Sequence, residues 1–358
     1  MTSNGQTCGR GATWGLALGS ALLSAALLLL LTRRYGPATL PDSAGYVAMA
    51  RSLLEGRGFL NYDGQPVGLW PPLYSLLLAG VARVCGLDLL AAARLLGAGA
   101  SAVAAALGAL TALRVMKTRV MAGLVSVLFA TSSALLLVQA AALSEALFIP
   151  LVAGLLFCLC GPLESRRLHV ALLVCGLAAL TRYLGLFLAA CPVLLLLVTR
   201  GGRETARRSP ALLVAAVLAF LPLAVWLVRN AMVMGQLTGP RSEPAYGVAT
   251  ALGDVLLITG GFFAPERLGW AAGTAVVLCA ALLVGQGWRA RRDGTAAPDL
   301  ALVLLWLVYV VALVALCTST YVDRIDYRLL APAFLVTLLI VGRAVEQLWR
   351  RGLGFRLV

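Results

Sequence analysis

Acidic and basic side chains beside apolar runs are the residues of this sequence that could do chemistry. Asp42 lies in PDSAGYVAMARSLLEGRGF (residues 41–59), and Glu145 lies in QAAALSEALF. Arginines stand in four further segments: Arg182 in LTRYLG, Arg229 in WLVRN, Arg241 in GPRSEP and Arg328 in DYRLLAP. A carboxylate can take a proton from a hydroxyl, and a guanidinium can bind a phosphate through paired N–H donors. The set suits a base that acts beside an anionic, membrane-borne substrate.

Each candidate also has a purely structural interpretation. Asp42 precedes a helix-like stretch, and aspartate is a favoured N-cap. Ser144 and Glu145 can cap the next helix, where an acid suits the helix dipole. Arginines at the ends of spans commonly extend to lipid headgroups. The charged cluster at residues 323–328 can form a local salt-bridge turn that contributes little stability. The residue types alone leave these alternatives open.

Several kinds of site are excluded by what the sequence lacks. The only histidine, His169, is predicted on the inner side, which excludes an outward-facing histidine zinc site or Ser-His-Asp triad. No Asp-x-Asp pair and no glycine-rich phosphate loop with lysine occur. We therefore expect no nucleotide-dependent chemistry inside the cell.

The composition is that of a membrane protein. Hydrophobic residues make up 61% of the 358 residues, charged residues 12%, and the mean hydropathy is +0.93; soluble domains carry about 25% charged residues. The net charge of +14 comes from basic residues dispersed between apolar runs, which indicates membrane topology and not nucleic-acid binding. The eight cysteines are scattered, which favours apolar packing over disulfides or metal ligation.

The apolar runs predict about ten transmembrane helices in one polytopic domain covering residues 1–358. The predicted spans are Trp14–Leu31, Leu90–Leu113, Val120–Gln139, Leu147–Cys160, Val170–Thr181, Gly185–Val198, Leu212–Val228, Trp270–Val284, Ala301–Leu316 and Leu329–Val345. The positive-inside rule places the arginine-rich connections and both termini on the cytoplasmic side.

This topology predicts two long outer loops, at residues 32–88 and 229–269. The first should carry two amphipathic helices along the membrane surface, one following Pro41 and one following Pro71. No soluble C-terminal domain is expected. The candidate acids and arginines all fall on the outer side, where they could meet in one cavity.

The segments that hold these residues resemble the GT-C superfamily of polytopic glycosyltransferases. The likeness is to the bacterial branch related to protein O-mannosyltransferases and to the transferase that adds aminoarabinose to lipid A. It rests on an ordered set of segments: PDSAGYVAMARSLLEGRGF, WPPLYSLLLAGV, LSEALFIPL, LTRYLGLFL, WLVRN with GQLTG, and DYRLLAPAFL. The resemblance implies a GT-C-type helical bundle in the plasma (inner) membrane with its active site facing outward.

The resemblance also implies roles for particular residues. Asp42 matches the family's catalytic base, and Glu145 matches the supporting acid before the fourth span. The donor phosphate would be bound by arginines from the set Arg182, Arg229, Arg241 and Arg328. The expected substrate pocket further contains Tyr46, Tyr74, Tyr183 and Asp326.

The implied reaction is an inverting sugar transfer from a polyprenyl-phosphate donor to an acceptor hydroxyl. The acceptor is a glycan, lipid or protein that the sequence does not identify, and the bilayer is the other partner. A divalent metal is not supported, because Asp42 is followed by Ser43 and not by a second acid. The alternative function is a transporter or flippase, but such proteins tend to show paired repeats, and none is visible here.

Overall fold

The computed structural model describes residues 10–290 and 298–350, and the regular secondary structure of this part of the chain consists of helices and two isolated β-bridges. The predicted all-α class is confirmed. The predicted cytoplasmic termini fall on residues 1–9 and 351–358, which lie outside the described residues. The helices are α1 (Arg10–Leu31), α2 (Pro41–Leu54), α3 (Leu73–Cys85), α4 (Leu89–Val115), α5 (Arg119–Thr131), α6 (Ser133–Gln139), α7 (Glu145–Leu159), α8 (Ser165–Thr181), α9 (Ala190–Val198), α10 (Arg200–Arg208), α11 (Ala211–Met234), α12 (Val248–Gly261), α13 (Gly269–Ala290), α14 (Pro298–Ser319) and α15 (Tyr327–Arg350).

Within residues 10–290 and 298–350, six helices are long and apolar enough to cross a membrane: α1, α4, α11, α13, α14 and α15. The number rises to eight if each of two bent pairs forms one span. The first pair is α5 with α6. In the second pair, a 3₁₀ helix (Tyr183–Ala189) continues into α9, and this segment is followed by α10. The other two predicted spans correspond to α7 and α8, which have 15 and 17 residues. A helix of 15 residues rises only about 22 Å, against about 30 Å for the hydrocarbon core. The chain is a multi-pass membrane protein.

The first predicted outer loop contains its two helices, α2 and α3, at the expected places. The second predicted loop, residues 229–269, is more structured than the sequence suggested. α11 continues beyond Val228 to Met234, and the apolar segment Val248–Gly261 forms α12, which packs against α13. Glycines let these two helices come close, and the span prediction missed α12 because its 14 residues are too few to cross a bilayer.

α15 lies at the centre of the bundle, whereas α1 and α11 form its outer surface. In the most apolar window of α15, 83% of the residues are buried inside the protein, but the corresponding shares are 17% for α11 and 22% for α1. α15 contacts α5, α7, α13 and α14. The first residues of α15 are therefore held in place from several sides.

Gly176 determines how closely α8 and α11 approach each other. A Cβ atom at this position would lie 2.1 Å from the carbonyl oxygen of Ala219 in α11, far below any normal contact. The obstacle is backbone, so it cannot move aside like a flexible side chain. α8 ends at the residue before Arg182, so this contact helps to place that arginine.

We expect Gly176→Ala to lower the thermal unfolding temperature in detergent, since overpacking a well-packed contact costs about 1–3 kcal/mol. Gly99→Ala in α4 is the matched control, because a Cβ there meets no atom within 4 Å. Alanine is also the better helix former, so the control should unfold at the same or a higher temperature. Equal unfolding temperatures for the two variants would contradict the close approach.

Candidate active site

Four helix ends meet at one end of the bundle and bring the charged candidates together. Asp42 is the second residue of α2, Glu145 is the first of α7, and Arg328 is the second of α15. Arg182 follows the last residue of α8. Asp42 and Arg328 are 286 positions apart in the chain, so only the fold brings them into contact.

A short backbone bridge places the two acids relative to each other. The N–H of Ala38 donates to the carbonyl of Ala140 at 3.0 Å, and the N–H of Ala142 donates to the carbonyl of Ala38 at 2.9 Å. Asp42 lies four residues after Ala38, and Glu145 lies three residues after Ala142. The bridge thereby fixes the start of α2 beside the start of α7.

The charged side chains form a continuous ionic network. Nη1 of Arg182 lies 2.6 Å from Oε1 of Glu145, and Nε of Arg328 lies 3.5 Å from the same oxygen. Nη1 of Arg328 donates to Oδ2 of Asp42 at 2.9 Å. Arg328 therefore joins a buried acid, Glu145, whose side chain is 2% exposed, to an accessible acid, Asp42, whose side chain is 38% exposed.

Hydroxyl groups complete the surroundings of Glu145. Tyr46 donates to the hydroxyl of Ser144 at 2.8 Å, and that hydroxyl donates to Oε2 of Glu145 at 3.3 Å. Arg182 also donates to Ser144, at 3.3 Å. Burial raises the pKa of Tyr46 well above its ordinary value although Arg182 opposes the shift, so the phenol stays protonated and keeps its donor role.

Arg182 is held in its charged form by the same contacts. Burial lowers its pKa, but the surrounding groups, with Glu145 the strongest of them, together raise it more, so the pKa lies above the ordinary arginine value. Glu145 at the first position of α7 also interacts favourably with the helix dipole. A cation at the start of α15 is unfavourable by the same rule, so Arg328 depends on its two acidic partners.

The structure decides the capping alternative for Asp42. Its carboxylate makes no capping hydrogen bond with α2, so that interpretation is wrong. The hydroxyl of Ser43 instead accepts from the N–H of Leu40 at 3.0 Å, and Pro41 stands at the first helical position, which suits its fixed backbone angle. The carboxylate of Asp42 is free to pair with Arg328.

The local salt-bridge turn proposed for residues 323–328 is also wrong, because its charged groups bind elsewhere. Arg324 forms two hydrogen bonds with Asp254 of α12, at 3.0 and 2.5 Å. Asp326 caps α15 by accepting from the N–H of Leu329 at 3.0 Å. This cap holds the first turn that carries Arg328.

A cavity of about 320 Å³ lies beside the network. Six of the candidate residues line it: Asp42, Tyr46, Arg182, Tyr183, Arg241 and Arg328. Glu145 is a seventh candidate and lies behind Arg182 and Arg328. Arg241 has no carboxylate within ion-pair distance in the described part of the chain, and its guanidinium lies 6.0 Å from the ring centroid of Tyr183. The cavity thus offers two accessible acids, Asp42 and Asp323, and three arginines, and of the two acids only Asp42 pairs with an arginine of the network.

Besides Glu145, three predicted site residues lie outside the cavity lining. Arg229 donates to the carbonyls of Val67 and Phe59, at 2.7 and 3.4 Å, and so supports the loop before α3. Tyr74 is buried against Tyr46 at a ring distance of 5.2 Å, and Asp326 serves as the cap of α15. These residues support the site and do not face it.

The sequence interpretation missed two contributors, Ser144 as a hydrogen-bond partner and Trp70 as part of the cavity wall. A Cβ on Gly45 would lie 2.3 Å from the ring of Trp70, so the indole rests directly on α2. Gly45 interrupts an otherwise helix-forming segment, and it was the sequence signal for this close contact. The described residues contain no group of three or more histidine, cysteine or acidic residues placed to hold a metal ion.

We expect Glu145→Gln to lower the unfolding temperature substantially, because two arginines would lose the charge that compensates them. Breaking a buried ion pair costs about 3–5 kcal/mol. Glu266→Gln is the matched control, since Glu266 is exposed and takes part in no ion pair within the described residues. Thermal unfolding of the two purified variants checks this prediction, and an equal, small effect of both would contradict the network.

The sequence matches no protein-family model and no curated protein. Solved structures match its fold. ArnT from Cupriavidus metallidurans bound to undecaprenyl phosphate is 17% identical with a TM-score of 0.61, over 97% of this chain. The apo state of that protein gives 18% identity and a TM-score of 0.63. The archaeal oligosaccharyltransferase AglB from Archaeoglobus fulgidus, in complex with an inhibitory peptide and a dolichol-phosphate, is 12% identical with a TM-score of 0.53, over 96% of this chain.

These similarities concern the fold. The chain spans 62% of the length of ArnT and 51% of the length of AglB. Both are GT-C glycosyltransferases. The helical bundle of this protein has the GT-C fold that its ordered sequence segments suggested.

Proposed function

We propose that this protein is a glycosyltransferase that moves a sugar from a polyprenyl-phosphate donor to an acceptor hydroxyl. One observation carries the proposal: the chain of ion pairs from Asp42 through Arg328 and Glu145 to Arg182 at the wall of the 320 Å³ cavity. Further support comes from the fold that the chain shares with ArnT bound to undecaprenyl phosphate and with AglB in complex with a dolichol-phosphate.

Asp42 acts as the general base in this proposal. The acceptor oxygen attacks the anomeric carbon from the face opposite the phosphate, and its proton passes to the carboxylate of Asp42. The new bond joins the acceptor oxygen to the sugar, the bond between the sugar and the phosphate oxygen breaks, and polyprenyl phosphate leaves. Attack from the opposite face inverts the configuration at the anomeric carbon.

The arginines of the cavity compensate the charge that this step creates. A phosphodiester with one negative charge becomes a phosphate monoester, and the leaving oxygen takes the additional electron pair. Arg182, Arg241 and Arg328 line the cavity where this charge would develop. Guanidinium groups bind phosphate oxygens through paired, charge-assisted hydrogen bonds, which suits this role.

Arg328 connects donor binding to the base. When the donor phosphate takes the Nη1 group of Arg328, Asp42 loses its 2.9 Å partner, and its Oδ2 atom becomes available to the acceptor hydroxyl. The base would therefore be released only when a donor is present.

Glu145 is a positioning residue in this proposal, because it is buried behind the two arginines. Its charge sets the orientation of Arg182 and Arg328. The distribution of basic residues supports an outward-facing cavity in the plasma membrane, since the arginine-rich connections Arg200–Arg208 and residues 114–119 lie at the other end of the bundle from Asp42.

We expect Asp42→Asn to reduce transfer by a factor of about 100 to 10,000, the usual contribution of a general base. Asparagine keeps the shape of the side chain, so the amount of protein in the membrane should not change. Asp63→Asn is the matched control, because Asp63 is an exposed acid of the same outer loop that only accepts from the N–H of Gln65.

The measurement is mass spectrometry of outer-surface glycans, lipids and glycoproteins from cells with and without the gene. The modification that disappears without the gene identifies sugar and acceptor together. It should return with the native protein and with Asp63→Asn but not with Asp42→Asn. Return with Asp42→Asn would contradict the assignment of the base, and no lost modification would contradict glycosyl transfer.

We expect Arg241→Gln to raise the KM for the lipid-phosphate donor about 10- to 100-fold, because a hydrogen bond to a charged group contributes about 1.5–3 kcal/mol. The fold should tolerate this change, since Arg241 forms no ion pair among the described residues. Arg267→Gln removes an exposed arginine outside the cavity lining and serves as control. Transfer kinetics with the purified variants check the prediction, and equal KM values would contradict a role of Arg241 in donor binding.

A further inference from the structure

A second cavity, of about 570 Å³, lies where α4 ends and α5 begins. α4 has 27 residues and is about 40 Å long, and it starts beside α2 and α3 at the end of the bundle that holds Asp42. The second cavity is therefore on the opposite membrane face from the candidate active site. The proposed glycosyl transfer makes no use of it.

Among the residues that the structure describes, three basic ones line the cavity, Arg114, Lys117 and Arg119, and no acidic one does. None of the three has a carboxylate within ion-pair distance in the described part of the chain. Arg114 donates one N–H to the carbonyl of Phe157 at 2.7 Å, which fixes its guanidinium at the wall. Three positive charges thus face this cavity, and no carboxylate of the described chain forms an ion pair with them.

Glu346, an acid that contacts the backbone of this cavity wall, is already engaged. Glu346 accepts from the backbone N–H groups of Lys117 and Thr118, at 2.8 and 2.6 Å, and pairs with Arg343 at 3.2 Å. It therefore stabilises the turn between α4 and α5 and does not neutralise the three basic side chains. An anion from outside the described chain would complete the charge balance.

The remaining walls of the cavity are apolar and reach the lipid-facing surface. They consist of Trp14, Leu110, Leu113, Met116, Ala122 and Phe157, together with threonines. Trp14 is 58% exposed at the start of α1, and tryptophan at the end of a span is typical of the membrane interface. Cations beside an apolar, lipid-facing wall suit a ligand that has both an anionic headgroup and hydrocarbon chains.

We propose that Arg114, Lys117 and Arg119 bind the headgroup of an anionic phospholipid, with Trp14 beside its glycerol and chain region. The positive-inside distribution puts this face in the cytoplasmic leaflet, whose anionic lipids attract basic clusters next to spans. A free phosphate would use the same cations but would gain nothing from the apolar wall. The proposal is independent of the glycosyl transfer at the other face.

The chain offers a control with the same charges in another setting. α10 carries Arg203, Arg207 and Arg208, and it lies at the same end of the bundle, since Thr205 donates to the carbonyl of Leu163 just after α7. None of these three arginines lines either cavity described above. General attraction to anionic lipid would involve both clusters, whereas a specific binding site would involve only Arg114, Lys117 and Arg119.

The experiment titrates dioleoyl-phosphatidylglycerol into the delipidated full-length protein in detergent and follows bound lipid by native mass spectrometry. The triple variant R114Q/K117Q/R119Q should bind roughly 100-fold more weakly, at about fivefold for each lost charge. The control triple variant R203Q/R207Q/R208Q should bind like the native protein. R114K/R119K keeps the charges and should also retain binding, which separates loss of charge from loss of folding.

Several results would overturn the proposal. Equal losses of lipid binding in both triple variants would mean general surface attraction. No loss in either variant would show that the assigned residues do not bind the lipid. If phosphatidylcholine bound equally well, the negative charge of the headgroup would have no role in binding. Displacement of the lipid by millimolar inorganic phosphate would make the site one for a free anion and not for a phospholipid.

Discussion

The candidate site depends on the charge of Glu145, which lies in a position that water hardly reaches. A buried carboxylate is costly unless cations and hydrogen-bond donors surround it. Arg182 from the end of α8 and Arg328 from the start of α15 supply the cations, and Ser144 supplies a hydroxyl. Because these partners come from different helices, the requirement of one buried charge fixes the geometry of the whole end of the bundle.

The same arrangement leaves Asp42 accessible. Arg328 is shared between Glu145, which cannot leave, and Asp42, which faces the cavity with its side chain 38% exposed. An anionic ligand in the cavity competes with Asp42 for Arg328 and not with Glu145. In the proposed reaction this competition makes donor binding the event that frees the base. Arg182, tied to the buried acid, stays in place while the partners of Arg328 change.

The sequence predicted well where most helices lie and which charged residues stand beside them, because both are local properties. Apolar runs identify helices wherever they lie in the bundle, and a charged residue beside such a run is conspicuous. Pairing is not local: nothing near Asp42 indicates Arg328, and the bridge of Ala38 with residues 140–142 leaves no sequence pattern. The capping alternative therefore stayed open for Asp42 until the fold was known.

Arg229 and Arg241 show the same limit. Both follow apolar segments, but α11 continues past Val228, so Arg229 lies within a helix and reaches the loop at residues 59–67. Arg241 lies in the irregular connection that follows and lines the cavity. The difference arises from where α11 ends, and helix ends are the least certain part of any sequence-based assignment.

A structure of the protein with a polyprenyl phosphate bound tests the central claim most directly. The account predicts that a phosphate oxygen lies within hydrogen-bond distance of the Nη1 atom of Arg328, and that Asp42 has moved beyond its present 2.9 Å from that atom. The contact between Arg182 and Glu145, now 2.6 Å, should be unchanged. A phosphate bound elsewhere, with the pair of Asp42 and Arg328 intact, would contradict the account.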